Sequence, residues 1–110
     1  MLVMVVVSIR KDREQSRGDE LIEAAWYGNT GRVNELIGEG ADVNFNLTAH
    51  PSCIPLTCAA SEGHTGIVQI LLDNHADINA TDDSHMTALQ HATERGHADI
   101  VRLLKQAGAK

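Results

Sequence analysis

Residues 56–79 read LTCAASEGHTGIVQILLDNHADIN, and the same pattern stands on either side of them. Upstream it is LIEAAWYGNTGRVNELIGEGADVN from Leu21; downstream it is LQHATERGHADIVRLLKQAGAK from Leu89. Gly28, Gly63 and Gly96 occupy matching places, 35 and 33 residues apart. Val33, Val68 and Val101 each follow their glycine by five residues, and Asn44 and Asn79 close the first two units. Self-similarity at this period is the signature of stacked supersecondary units.

Each unit reads as two short helices. Leu56, Ala59 and Ala60 recur at i, i+3 and i+4. Ile67, Val68, Leu71 and Leu72 form a second apolar stripe at helical spacing. The glycine between the two suits a left-handed C-terminal residue. Pro55 suits a first helical position, where its missing N–H goes unneeded. Asp19 and Thr87 stand where an N-cap oxygen is wanted, and Asp82-Asp83-Ser84 is a turn-forming run. Leu71 and Val68 are expected in the core.

These residues resemble those of ankyrin-repeat proteins. The family pattern, D-x-x-G-x-T-P-L-H-x-A-A-x-x-G-H followed by an apolar helix and G-A-D-V-N, recurs as Ile54-Pro55-Leu56-Thr57 with Ala59-Ala60 and Gly63-His64. It recurs again as Thr87-Ala88-Leu89-Gln90 with Ala92 and Gly96-His97. Gly40-Ala41-Asp42-Val43-Asn44 and His75-Ala76-Asp77-Ile78-Asn79 end the units. The resemblance covers residues 19–110 and implies an all-α solenoid of three helix-turn-helix units, about 19–46, 47–81 and 82–110, joined by short β-hairpin loops.

Departures from that pattern carry expectations. Ile54 replaces the capping threonine, and Thr57 and Gln90 replace the histidine of T-P-L-H. His75 replaces the glycine after the second helix and is expected to be left-handed; His85 replaces the hairpin glycine. The first connecting loop holds two extra residues around Ala49-His50-Pro51, which a surface loop accepts at little entropic cost.

Stacked units need polar ends. Glu20, Glu23, Arg32, Asn34 and Glu35 are expected to cap the N-terminal unit, and Arg102, Lys105 and Gln106 the C-terminal one. Residues 1–18 read as an extension. Val3, Val5, Val7 and Ile9 alternate as a strand would, and Lys11 to Gly18 reads as a polar linker.

Composition narrows the function. Residues 1–18 carry a net charge of +2 and residues 19–110 a net of −8. A body that acidic lacks the clustered bases that phosphate backbones require, so no nucleic-acid partner is expected. Met1 to Val7 is too short to span a bilayer and is not preceded by the bases of a secretory signal. Cys53 and Cys58 are the only cysteines and are expected as free thiols. The reading is of a monomeric, cytoplasmic protein.

Catalytic and metal chemistry find little footing, and no cofactor is expected. His85, His91 and His97 are six residues apart, a spacing that does not share a helix face and matches no zinc pattern. Cys53 and Cys58 lack an oriented base and an oxyanion-stabilising turn. Asp82-Asp83 does not match a calcium loop, and Gly38-Glu39-Gly40 lacks the residues of a phosphate loop.

What remains is a surface. The resemblance implies protein–protein interaction through the concave face and hairpin tips, as scaffold or inhibitor. Carried over residue by residue, the partner-binding positions are Trp26, Tyr27, Ser61, Glu62, Glu94 and Arg95 beside the turn glycines. Those on the hairpins are Thr48, His50, Ser52, Cys53, Asp83, Ser84 and Met86. Trp26 and Tyr27 either anchor a partner or pack beneath residues 1–9. A structural or regulatory segment of a larger assembly, anchored by residues 1–9, is the alternative function. Asn44 and Asn79 also resemble the targets of an asparagine hydroxylase that acts on this family.

Overall fold

The computed structural model describes residues 17–45 and 53–109. Helix α1 covers 17–27, followed by α2 (Thr30–Gly38), α3 (Pro55–Glu62), α4 (Thr65–Asp73), α5 (Ala88–Arg95) and α6 (Ala98–Gln106). They form three consecutive helix pairs. Within a pair, α3 packs on α4 and α5 on α6; between pairs, α3 packs on α5, while α2, α4 and α6 follow one another in a second row. The fold is all-α, and no strand occurs among the described residues. The expected hairpin between the second and third pairs is a tight turn, in which Asp82 N–H donates to the Met86 carbonyl at 3.1 Å and His85 N–H to the Asp82 carbonyl at 2.9 Å.

The buried set is the repeated apolar set. Val33 and Val68 are fully buried, as are Leu36, Leu71 and Leu104 and, on the same row, Ile67 and Ile100. Each such side chain contributes roughly 1.5–3 kcal/mol by leaving water. Ala24, Ala25, Ala59, Ala60 and Ala92 are buried where inner helices meet; larger side chains would hold those helices apart. The position of Ile67 and Ile100 is held in the first unit by Arg32. Its guanidinium pairs with Glu20 on α1 and with Glu35 at 3.0 Å on α2. The hydrogen bonds it donates to Glu20, then to Glu35, raise the Arg32 guanidinium above its ordinary value. The first unit thus replaces an apolar contact with a charged cluster on its outer face.

The helix ends follow the sequence with instructive exceptions. Gly28, Gly63 and Gly96 have φ of 81°, 82° and 74°, the left-handed turn expected. Thr87 Oγ1 accepts from Gln90 N–H at 3.2 Å while Gln90 Oε1 accepts from Thr87 N–H at 2.9 Å, a reciprocal cap. Ile54 has no side-chain oxygen, and Thr57 compensates: its hydroxyl accepts from Ile54 N–H at 3.1 Å and donates to the Ile54 carbonyl at 3.0 Å. Both residues that replace the family histidine therefore fasten the first turn themselves. Asp19 is not an N-cap; it lies inside α1, which also takes in Arg17 and Gly18 from the expected linker. The rest of the extension, residues 1–16, lies outside the described residues.

Candidate protein-binding surface

Two histidines set the spacing of the stack. His64 Nε2 lies 2.9 Å from the Trp26 carbonyl, and His97 Nε2 lies 3.0 Å from the Ser61 carbonyl. A carbonyl only accepts, so each imidazole carries its proton on Nε2 and donates across the unit boundary. The rings lie over the preceding turns. A Cβ on Gly28 would meet the His64 ring at 2.6 Å, and one on Gly63 would meet the His97 ring at 2.9 Å. A Cβ on Gly96 would meet nothing within 4 Å. Asn44 adds a second rung, its Oδ1 accepting from Asp77 N–H at 2.7 Å. The ends of α1 and α3 are thereby fixed relative to the units that follow.

Those ends carry the inner-face positions. Trp26 is 39% exposed and Tyr27 73% exposed, adjacent at the close of α1. Glu94 and Arg95 are exposed at the close of α5. Arg95 Nη1 approaches Glu62 Oε2 at 3.8 Å, linking the ends of α3 and α5. Ser61 departs from the expectation: it is only 6% exposed, because its carbonyl is the acceptor for His97 and its helix is covered by α5. Its side chain is not available to a partner. Tyr27 also borders a hollow of about 200 Å³ with Glu20, Glu23, Ala24, Asn29 and Arg32.

The hairpin positions divide. Asp83 and Ser84 are exposed and Met86 is half-buried. Asp82 organises them, its Oδ1 accepting from Ser84 N–H at 2.9 Å and Met86 N–H at 3.1 Å. Its Oδ2 lies 2.5 Å from His91 Nε2 on α5. Burial opposes the Asp82 charge, but the bonds from His91, Met86 and Ser84 outweigh it and hold the carboxyl below its ordinary value. Thr48, His50 and Ser52 lie outside the described residues.

Cys53 corrects the reading of free thiols. It is half-buried and joined in a disulfide to Cys58, with Cα atoms 5.9 Å apart. A spacing of five residues across a helix start brings the two within bridging range, which two-cysteine arithmetic does not reveal. Ala92, Thr93, Gly96, Ala98, Val101, Arg102 and Lys105 line a hollow on the last helix pair. No group of three or more His, Cys, Asp or Glu is placed to hold a metal ion among the described residues. No helix among them is long and apolar enough to cross a membrane.

Three stacked helix pairs, the second and third each locked by a histidine onto the turn before it, define a helical repeat solenoid. The chain belongs to the ankyrin-repeat family: the model for ankyrin repeats (3 copies) matches residues 21–110. It is similar to ankyrin repeat and SAM domain-containing protein 6 of Mus musculus, 36% identical over 100 residues, which are 90% of this chain and 11% of that protein. It is similar to 26S proteasome non-ATPase regulatory subunit 10 of Dictyostelium discoideum, 35% identical over 95 residues, 86% of this chain and 40% of that one. It is also similar to E3 ubiquitin-protein ligase XBAT33 of Arabidopsis thaliana, 44% identical over 91 residues, 79% of this chain and 17% of that one. The chain therefore spans 11% to 40% of the length of these relatives. Ankyrin repeats are in general protein–protein interaction modules and are typically non-enzymatic, although relatives such as the ubiquitin ligases carry other domains.

Proposed function

We propose that this chain binds a protein partner along its inner helix face, with Trp26 and Tyr27 as the anchor. The observation that carries the reading is the exposure of these two adjacent aromatics, 39% and 73%, at the fixed end of α1. Large rings left in water gain most when a partner covers them. Glu62, Glu94 and Arg95 continue the row on α3 and α5, and Asp83, Ser84 and Met86 form its rim at the hairpin. The family pattern adds Cys53 and, outside the described residues, Thr48, His50 and Ser52 as further partner positions. The protein acts by occupying a partner's surface, as scaffold or inhibitor.

The test is the double change Trp26→Ala, Tyr27→Ala, with partners captured by affinity purification and identified by mass spectrometry. Truncating a true anchor costs at least about 2 kcal/mol of binding, some thirtyfold in affinity. Changing Asp83 and Ser84 costs less, since exposed polar contacts at a rim contribute little. Melting temperature is measured on the same variants. Normal affinity in a strongly destabilised double variant refutes the anchor and makes the two rings structural.

A further inference from the structure

Cys53 and Cys58 stand at two defined places on α3. Ile54 is the N-cap, so Cys53 is the residue before the cap and Cys58 is the fourth residue of the helix. Side chains at those two places meet in many helices and fix the angle at which the chain enters, usually through an apolar contact. Here the contact is a covalent bond. The Cα separation of 5.9 Å lies within the range that disulfides span without moving the backbone.

The third unit shows what this position does. The residue matching Cys58, by the 33-residue period of the turn glycines, is His91. His91 reaches back to Asp82, on the loop that enters its own helix, at 2.5 Å. Both units therefore use the fourth residue of the first helix to tie that helix to the incoming loop. One tie is a hydrogen bond to a carboxylate, the other a disulfide. The disulfide stands in the unit whose N-cap offers no side-chain oxygen.

We propose that Cys53 and Cys58 form a reversible thiol–disulfide site, reacting with low-molecular-weight thiols and disulfides, that fastens or releases Cys53 at the start of α3. The asymmetry of burial sets the order of events. Cys58 is 1% exposed and Cys53 half-buried, so an incoming reagent meets Cys53. In oxidation the Cys53 thiolate attacks a small disulfide, forming a mixed disulfide and expelling one small thiolate. The Cys58 thiol, giving up its proton, then attacks the Cys53 sulfur and expels the second. Two protein thiols and one small disulfide become one protein disulfide and two small thiols. Reduction runs the same steps backwards, and the buried Cys58 remains beside Cys53 to reclose the bond.

The experiment uses the full chain equilibrated in reduced and oxidised glutathione at a series of ratios, quenched with an alkylating reagent and read by intact mass. The expected result is direct conversion from a doubly alkylated to an unalkylated monomer as the buffer becomes oxidising. The oxidised form should melt at least about 4 °C above the reduced form. Amide exchange should slow at the start of α3 and remain unchanged in α5 and α6. Cys53→Ser leaves the core thiol in place; it should match the reduced wild type and ignore the buffer. Persistent glutathione on Cys53, a disulfide-linked dimer, or equal melting of the two forms overturns the proposal.

Discussion

His75 is the residue whose replacement tests the backbone of this fold most directly. It closes the second unit at φ 68°, where the first and third units have Gly40 at φ 93° and Gly108 at φ 103°. A Cβ in the left-handed region costs roughly 1–2 kcal/mol relative to glycine. A Cβ added at Gly40 or Gly108 would meet nothing within 4 Å, so the cost at this repeat position is conformational rather than steric crowding by neighbours. The imidazole is exposed. Against the gain stands the greater freedom of glycine in the unfolded chain, about 0.4–1 kcal/mol. His75→Gly should therefore stabilise by about 0.5–1 kcal/mol. With a urea dependence of about 1–3 kcal/mol per molar, the unfolding midpoint should rise by about 0.4 M. His75→Ala keeps the Cβ and removes only the ring, so its midpoint should stay with the wild type. Gly108→Ala imposes the same strain on a new place and should lower it. A midpoint for His75→Gly at or below the wild type refutes the strain argument, and parallel gains in His75→Gly and His75→Ala would place the cost in the ring instead.

Leu71→Ala empties a fully buried site in α4 and should cost roughly 2–5 kcal/mol, a large part of the ~5–15 kcal/mol that holds a domain together; an unmoved melting curve would remove that helix face from the core. Asp82, whose carboxyl is held below its ordinary value, contributes stability that is full above the unfolded value near about 3.9 and is lost as pH falls through the lower folded value. Wild type should therefore exceed Asp82→Asn at neutral pH, with the difference closing in acid. A difference that persists unchanged to about pH 2 counts against the charge as its source.

The ladder of histidines explains why the spacing of glycines was informative. Gly28 and Gly63 are required twice over, by their positive φ and by the imidazole of the next unit lying against them. That double requirement imposes one residue type at one period, and a period can be read from a single sequence. Val68, Leu71, Pro55 and the Thr87 cap were legible for the same reason: each answers to a local rule of helix spacing or helix ends.

The features that were misread depend on what lies across a boundary. Ser61 occupies a variable position, yet α5 buries it and His97 takes its carbonyl. Asp19 has the side chain of a cap, but residues 17 and 18 before it are already helical.

By itself the sequence determined the helix pairs, their number, their turns and their core stripe, because periodicity and end signals act within a few residues. Only the tertiary structure decided which variable positions face water, where Arg32 finds its acids, and that Cys53 and Cys58 meet. Those outcomes depend on distances between separate elements, and local propensity does not encode them.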